Sequence, residues 1–370
     1  AVQSAAAHTG DTVDFHLGRR RLGALAETLS EARLGQILAQ FGDCRLGVVG
    51  DLGLDAYWYA DMTISVLSRE TPHFPRPVVR EEYSPGAGAN VAQNLKAIGV
   101  GHVIALSVLG DDWRGAILQR VMAERGIDVG ALLVSPRRST TTFIKPILMG
   151  HNSQQEDARI DFENAAPLAQ DLQEALIASV ERCLPELHGL LIADQLDVHG
   201  VITEDVRGAL NRLARDHPHK VFVVDSRQHI GEYRDMVLKP NWVEATRAVT
   251  PQRDPRGVSR EELAGLGALL SGRCGRPVFV TLSEDGVMVC TEAEQRILPA
   301  APVRPPLDPV GAGDAFIAAL AASLSVGASP WEAGAIANLA AAVTVEKLNQ
   351  TGTASPDEVL ERYRLAAAAP

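Results

Sequence analysis

In DPVGAGDAF, residues 308–316, Gly311 and Gly313 flank Ala312 and deliver Asp314 into the apolar run AFIAALAASLS. Glycine permits positive φ and close backbone approach. The first amides of a helix are unpaired donors at its partly positive end, so an anion suits this turn. Asp314 then has two readings. It caps the helix, contributing about 1 kcal/mol, or it takes a proton from a hydroxyl attacking a phosphoryl group held by the amides of Ala312, Gly313 and Asp314. The stretch alone leaves both open.

Two other stretches carry candidate chemistry. PGAGANVAQN (85–94) superficially matches the dinucleotide fingerprint GxGxxG, yet it follows the polar REEYS and has Val91 where the third glycine belongs. That context argues against a nicotinamide cofactor. No GK[ST] follows either glycine-rich turn, so neither is a Walker A loop. LKPNWVEA (238–245) sets Asn241 and Glu244 three residues apart after a proline. Taken alone, they are a turn residue and a first-turn helix acid.

These residues need a scaffold. Apolar runs at 45–50, 102–110, 189–194, 220–225 and 277–282 predict strands buried on both faces of a parallel sheet. Helical patterns at 89–99, 113–126, 172–184, 202–216 and 260–272 separate them, and three more follow at 314–326, 331–347 and 356–367. That alternation predicts a doubly wound α/β fold with helices on both faces. Residues 55–83 and 139–163 break the pattern. They read as antiparallel strands outside the main sheet that pair into a small lid. One large domain over 45–370 with its lid, preceded by an extension over 1–44 with a possible helix, fits better than two independent domains.

Of the 370 residues, 46% are hydrophobic and 22% charged, and the formal net charge is −11. No basic block extends beyond GRRR at 18–21, which argues against nucleic-acid and anionic-membrane partners. A nucleotide remains compatible, because a metal ion and backbone amides neutralise it locally. Cys44, Cys183, Cys274 and Cys290 lie far apart and read as reduced thiols of a cytoplasmic protein. No charge-free apolar run reaches 18 residues, and the N-terminus lacks a secretory apolar core.

The three motifs together carry a resemblance. DPVGAGDAF resembles the C-terminal signature of the ribokinase (PfkB-type) carbohydrate kinases, PGAGANVAQNLKAIG their N-terminal signature, and LKPNWVEA their PNxxE element. They occur in the family's order, within a similarity running over roughly residues 45–357. VVGDLGLDAYWYAD, QQEDARIDFE and KLNQTGTASPDEV resemble the bacterial D-glycero-D-manno-heptose-7-phosphate kinase subgroup. The implied fold is ribokinase-like. The implied activity is transfer of the ATP γ-phosphoryl group to a sugar hydroxyl with Mg²⁺, and a monovalent cation is left open.

The resemblance also implies roles. Asp314 would be the general base, with Gly311, Ala312 and Gly313 forming the anion hole. Asn241 and Glu244 would organise Mg²⁺, Glu244 through water, beside the nucleotide phosphates. Thr281, Ser283 and Gly286 would line the nucleotide, and Asn338 the adenine. Asp55, Gly86, Gly88, Asn90 and Asp194 would meet the sugar, and Arg159 in the lid would meet an anionic one.

The chain departs from the pattern at Ala87 and Ser283, where the family usually has glycine. It also lacks the basic lid residues of the heptose kinases except Lys145 and His151. The alternatives are a kinase of an unphosphorylated sugar or sugar acid, and a non-catalytic sugar- or nucleotide-binding regulator. Exposed apolar lid strands predict a homodimer formed through the lid.

Overall fold

The computed structural model describes residues 25, 27–348 and 352–368. The N-terminal extension up to residue 24 and residues 349–351 of the KLNQTGTASPDEV stretch lie outside them. The first complete helix among the described residues is α1 (Glu31–Ala39), capped by the Ser30 hydroxyl accepting from Arg33 N, followed by β1 (Arg45–Gly50), β2 (Leu52–Asp61) and β3 (Val78–Ala87). Next come α2 (Gly88–Ala97), β4 (His102–Leu106), β5 (Val108–Gly110), α3 (Trp113–Glu124), β6 (Leu133–Ser135), β7 (Thr142–Met149), β8 (Gln154–Glu156) and β9 (Ile160–Phe162). The middle of the chain holds α4 (Gln170–Cys183), β10 (Gly189–Asp194), α5 (Glu204–Asp216), β11 (Val221–Ser226), β12 (Val237–Leu238), α6 (Trp242–Val249) and α7 (Arg260–Cys274). It ends with β13 (Val278–Thr281), β14 (Val287–Cys290), β15 (Gln295–Leu298), α8 (Ala312–Ser325), α9 (Pro330–Thr344) and α10 (Pro356–Ala368).

Eight strands form the main sheet in the order β15-β14-β13-β12-β11-β10-β1-β4. It is parallel from β4 across to β13 and antiparallel only in its last two pairings. The central strands carry Leu46, Val48, Val49, Leu190, Ile192, Val223 and Val224, all fully enclosed, as expected of strands covered on both faces. One core lies under α1, α2, α8 and α9, and a second under α4, α5 and α7. The predicted strand over 102–110 divides at Ser107, whose hydroxyl donates to Gly50 O at 2.7 Å. Beyond it β5 pairs with β6 in a separate two-stranded sheet.

The lid is a sheet of its own, β3-β2-β7-β8, with β9 also pairing β7. Its central pair is parallel, not antiparallel as expected: β2 and β7 run side by side from Leu54↔Thr142 to Asp61↔Met149. Residues 62–141 supply the long crossover that a parallel pair requires. Ile64, Val66, Leu67, Phe74, Val79 and Ile160 leave the lid with an exposed apolar surface.

Candidate active site

At the head of α8, Asp314 does not cap the helix. Gly311 is the N-cap, left-handed at φ 79°, and no side chain caps the helix. Asp314 is the third helical residue, and its carboxylate makes no capping hydrogen bond to the α8 amides. Its Oδ2 instead accepts a hydrogen bond from Asn90 Nδ2 at 2.6 Å. Asn90 is buried at the start of α2, and its own Oδ1 accepts from Gln93 Nε2 at 3.4 Å and Asn94 Nδ2 at 3.3 Å. Those contacts hold the amide so that its N–H₂ faces the acid.

Desolvation pushes the Asp314 carboxyl up to about 6, helped by the nearby Asp225 and opposed by Asn90, Lys239 and Gln195. The residue as a whole is half-buried. Such a group is mostly ionised at neutral pH and still basic enough to take a proton. The α8 amides are only partly available. Ala312 N donates to Pro309 O at 3.3 Å and Asp314 N to Gly311 O at 3.1 Å. The exposed Gly313 amide makes no hydrogen bond among the described residues.

On the lid side, β3 enters α2 through Ala87, at φ 48° and ψ −134°, a conformation hostile to any Cβ. Gly86 passes so close to Asp55 that an added Cβ would lie 2.8 Å from its Oδ1, and Gly88 is packed with similar tightness against Asp51 O. Asp55 is buried and paired with Lys145 Nζ at 3.1 Å, and Lys145 also donates to Tyr57 OH at 3.2 Å. Burial raises the Asp55 carboxyl while Lys145 opposes the shift. Burial works against the Lys145 charge, but Asp55 and Tyr57 outweigh it and hold its pKa above the usual lysine value.

On the opposite side, Asn241 and Glu244 form a reciprocal capping box at α6. Asn241 Oδ1 accepts from Val243 N and Glu244 N, and Glu244 Oε2 accepts from Asn241 N. The helix-start reading of the pair is therefore realised, and Glu244 Oε1 is left over. Burial raises the Glu244 carboxyl, against the pull of Lys239. Asn241 also bridges to Thr281, at the end of β13, and Thr281 N donates to Pro240 O at 2.9 Å. The β13–β14 turn follows, with Ser283 at φ 54° and Gly286 at φ 98°. Ser283 thus adopts a backbone that glycine would hold without strain.

Three residues invisible to motif reading join the two sides. Lys239, 5% exposed, pairs with Asp225 Oδ1 at 3.3 Å. Burial opposes its charge, but Asp225, Glu244 and Asp314 hold its pKa above the ordinary value. Gln195 donates to Asp225 Oδ2 at 3.3 Å and is the segment's link to Asp314. Its neighbour Asp194 is enclosed instead, its Oδ2 accepting from Ser226 Oγ at 2.7 Å and Tyr233 OH at 2.9 Å. Two other sequence candidates are engaged locally. Asn338 donates to Leu298 O and Pro299 O, tying α9 to β15. Arg159 pairs with Asp161 at 2.7 Å and stacks over Phe143.

Among the described residues no group of three or more His, Cys, Asp and Glu could hold a metal ion by itself. No helix among them is long and apolar enough to cross a membrane.

Comparison with known proteins agrees with this layout. Among solved structures, the fold is similar to phosphofructokinase-2 from Escherichia coli in complex with potassium (TM-score 0.69, 18% identity, 88% of this chain and 99% of that one). It is also similar to Arabidopsis thaliana ribokinase complexed with ribose and ATP (TM-score 0.63, 17% identity, 87% and 99%). Curated relatives include the "Bifunctional protein HldE" of Paramagnetospirillum magneticum, 32% identical over 92% of this chain and 65% of that protein. That of Aeromonas salmonicida is 33% identical over 87% and 64%. The chain thus spans just under two thirds of the length of these relatives. The model of the pfkB family carbohydrate kinases matches residues 76–358, and the chain belongs to that family: it is a ribokinase-fold carbohydrate kinase.

Proposed function

We propose that the protein transfers the γ-phosphoryl group of ATP to a hydroxyl of a sugar phosphate, a heptose phosphate or a close analogue, with Asp314 as general base. The observation that carries this reading is the Asn90–Asp314 hydrogen bond. It joins the two signature stretches into one acid facing the cleft, with its pKa raised by burial to about 6. The acceptor hydroxyl would lie between Asp314, Asn90 and Asp55, and Asp314 would take its proton as the oxygen attacks phosphorus. Lys239 and the free Gly313 amide would stabilise the charge that builds on the transferred group, the form of stabilisation such reactions depend on.

The site chemistry also fits a Mg²⁺ ion. The oxygens of Glu244 and Asp225 are hard donors beside the Asn241 turn, and Mg²⁺ keeps most of its shell as water and phosphate. When bound, it would neutralise the nucleotide phosphates. Thr281, Ser283 and Gly286 would border the nucleotide, and Asn338 would act on the adenine side through the β15 backbone it holds.

The phosphorylated substrate is supported by the resemblance to the heptose-7-phosphate kinases and by the HldE relatives. We also propose a homodimer through the exposed apolar lid, acting in the cytoplasm, and a kinase domain over 45–370 with its lid. Leu34, Ile37 and Phe41 pack into the same core, so the residues just before 45 fold with it. The test is ADP release over a panel of heptose and hexose phosphates and their unphosphorylated sugars. Turnover of phosphorylated acceptors is expected. Turnover of neutral sugars alone would contradict the substrate class, and no turnover with tight sugar binding would point to a regulator.

A further inference from the structure

A cavity of about 680 Å³ lies between the lid and α2. Tyr57 and Tyr59 of β2 form one wall and Gln93 and Lys96 of α2 the other, with Arg125 and Lys347 also lining it. The cavity connects with the sugar site through two of these residues. Gln93 donates to Asn90, and Tyr57 shares Lys145 with Asp55.

Three features of the cavity point to a ligand. Gln93 is 9% exposed, and its Oε1 has no hydrogen-bond partner. A buried acceptor left unpaired is costly, and a ligand hydroxyl would satisfy it. Lys96 and Arg125 are paired with no carboxylate among the described residues. Lys96 Nζ donates to Val100 O and Gly101 O at 3.0 and 2.9 Å, and Arg125 donates to Val121 O at 2.8 Å. Both keep N–H groups to spare. Lys347 is balanced by Glu358, and Glu82, the one acid of the lining among the described residues, is bound by Tyr59 OH and Arg80.

We propose that this cavity seats the distal phosphate of the acceptor sugar. Lys96 and Arg125 would supply the counter-charge, and Gln93 would accept a hydrogen bond from a hydroxyl in mid-sugar. A phosphomonoester near neutral pH carries close to two negative charges, which two unpaired cations match. The reach is right. From Asn90 to Lys96 along α2 is about 9 Å at 1.5 Å per residue, comparable to a six- or seven-carbon sugar between its phosphorylated hydroxyl and a phosphate at the far end. This inference rests on the sugar-phosphate reading and adds its recognition site, which lies on α2 and α3 rather than on the lid strand around Lys145.

The test is steady-state kinetics of Lys96→Met and Arg125→Met, with Lys96→Arg as the charge-conserving control and thermal melts to establish folding. The acceptor panel holds a heptose 7-phosphate, hexose 6-phosphates and the corresponding neutral sugars. Binding of inorganic phosphate is followed separately by ³¹P line broadening. Each Met variant is expected to raise KM for the phosphorylated acceptor at least about tenfold, to leave KM for ATP unchanged, and to lose phosphate binding. Lys96→Arg is expected to restore most of both. Folded Met variants with unchanged KM for the sugar phosphate would overturn the inference while leaving the sugar-phosphate reading intact. Phosphate binding lost without a KM change would instead make the cavity a regulatory anion site and overturn its substrate role. If the wild type accepts only neutral sugars, the functional reading fails and takes this inference with it.

Discussion

Asp51 and Asp314 are both acids whose carboxyls burial raises to about 6. Their surroundings differ in one respect. Asp51, between β1 and β2, accepts three backbone N–H bonds, from Gln195 and Leu196 on Oδ2 at 2.9 Å and from Val201 on Oδ1 at 2.8 Å. Asp314 has a short bond from Asn90 and is only half-buried. A raised pKa therefore does not distinguish a working acid from a structural one. Unused acceptor capacity is what separates the two here, and it is the property a general base would need. Asp51 is the clasp that holds the loop carrying Gln195, and Asp314 is the residue that loop approaches.

The contrast is broken or sharpened by substitution. The largest effect is expected for Asp314→Asn, a fall in kcat of about 10³-fold with ATP affinity and melting temperature preserved. Coupled ADP release and calorimetric titration would read the two separately. Lys239→Met should lower kcat/KM on the order of 10²-fold, because it removes the buried charge beside Asp225 and the transferred group. Isothermal denaturation would check that the fold survives, since Asp225 is left without its cation.

Asp51→Asn should show the opposite pattern. It turns an amide N–H₂ against a backbone donor, costing about 2–4 kcal/mol of stability by urea titration, while turnover of the folded fraction stays near wild type. If Asp51→Asn abolished turnover in a folded protein, the division between clasp and base would collapse. The smallest effect is at the hinge between β3 and α2. Ala87→Gly should stabilise the protein by about 1 kcal/mol, relieving the positive φ without touching either acid.

The glycine-framed acid at 314 and the amide at 90 were legible in sequence because each sits in a local motif. So were the strand runs of the main sheet, whose two-sided burial leaves continuous apolar stretches. Ala87 and Ser283 were legible as departures, and both fall at positive φ, where glycine would be unstrained. Gln195, Asp225 and Lys239 were not legible. They are brought together from three separate strand ends, and no local spacing relates them. β12 is two residues long, too short for any periodicity to announce. The parallel pairing of β2 with β7 depends on a crossover of some eighty residues, which no window along the chain spans. The pairing of Asn241 with Glu244 was visible, but its capping geometry is satisfied whether or not a nucleotide binds.

The most direct measurement is kcat against pH, from 5 to 8, for the wild type and for the residual activity of Asp314→Asn. With the folded pKa raised to about 6, Asp314 loses its base form as pH falls through 6. The wild type should therefore show an acid limb there. Protonating a group whose folded pKa lies above its unfolded value stabilises the fold, so unfolding through this group would not explain the loss. The limb should be absent from the residual activity of Asp314→Asn. A wild-type profile flat to pH 5, or an acid limb that persists unchanged in the variant, would contradict Asp314 as the base.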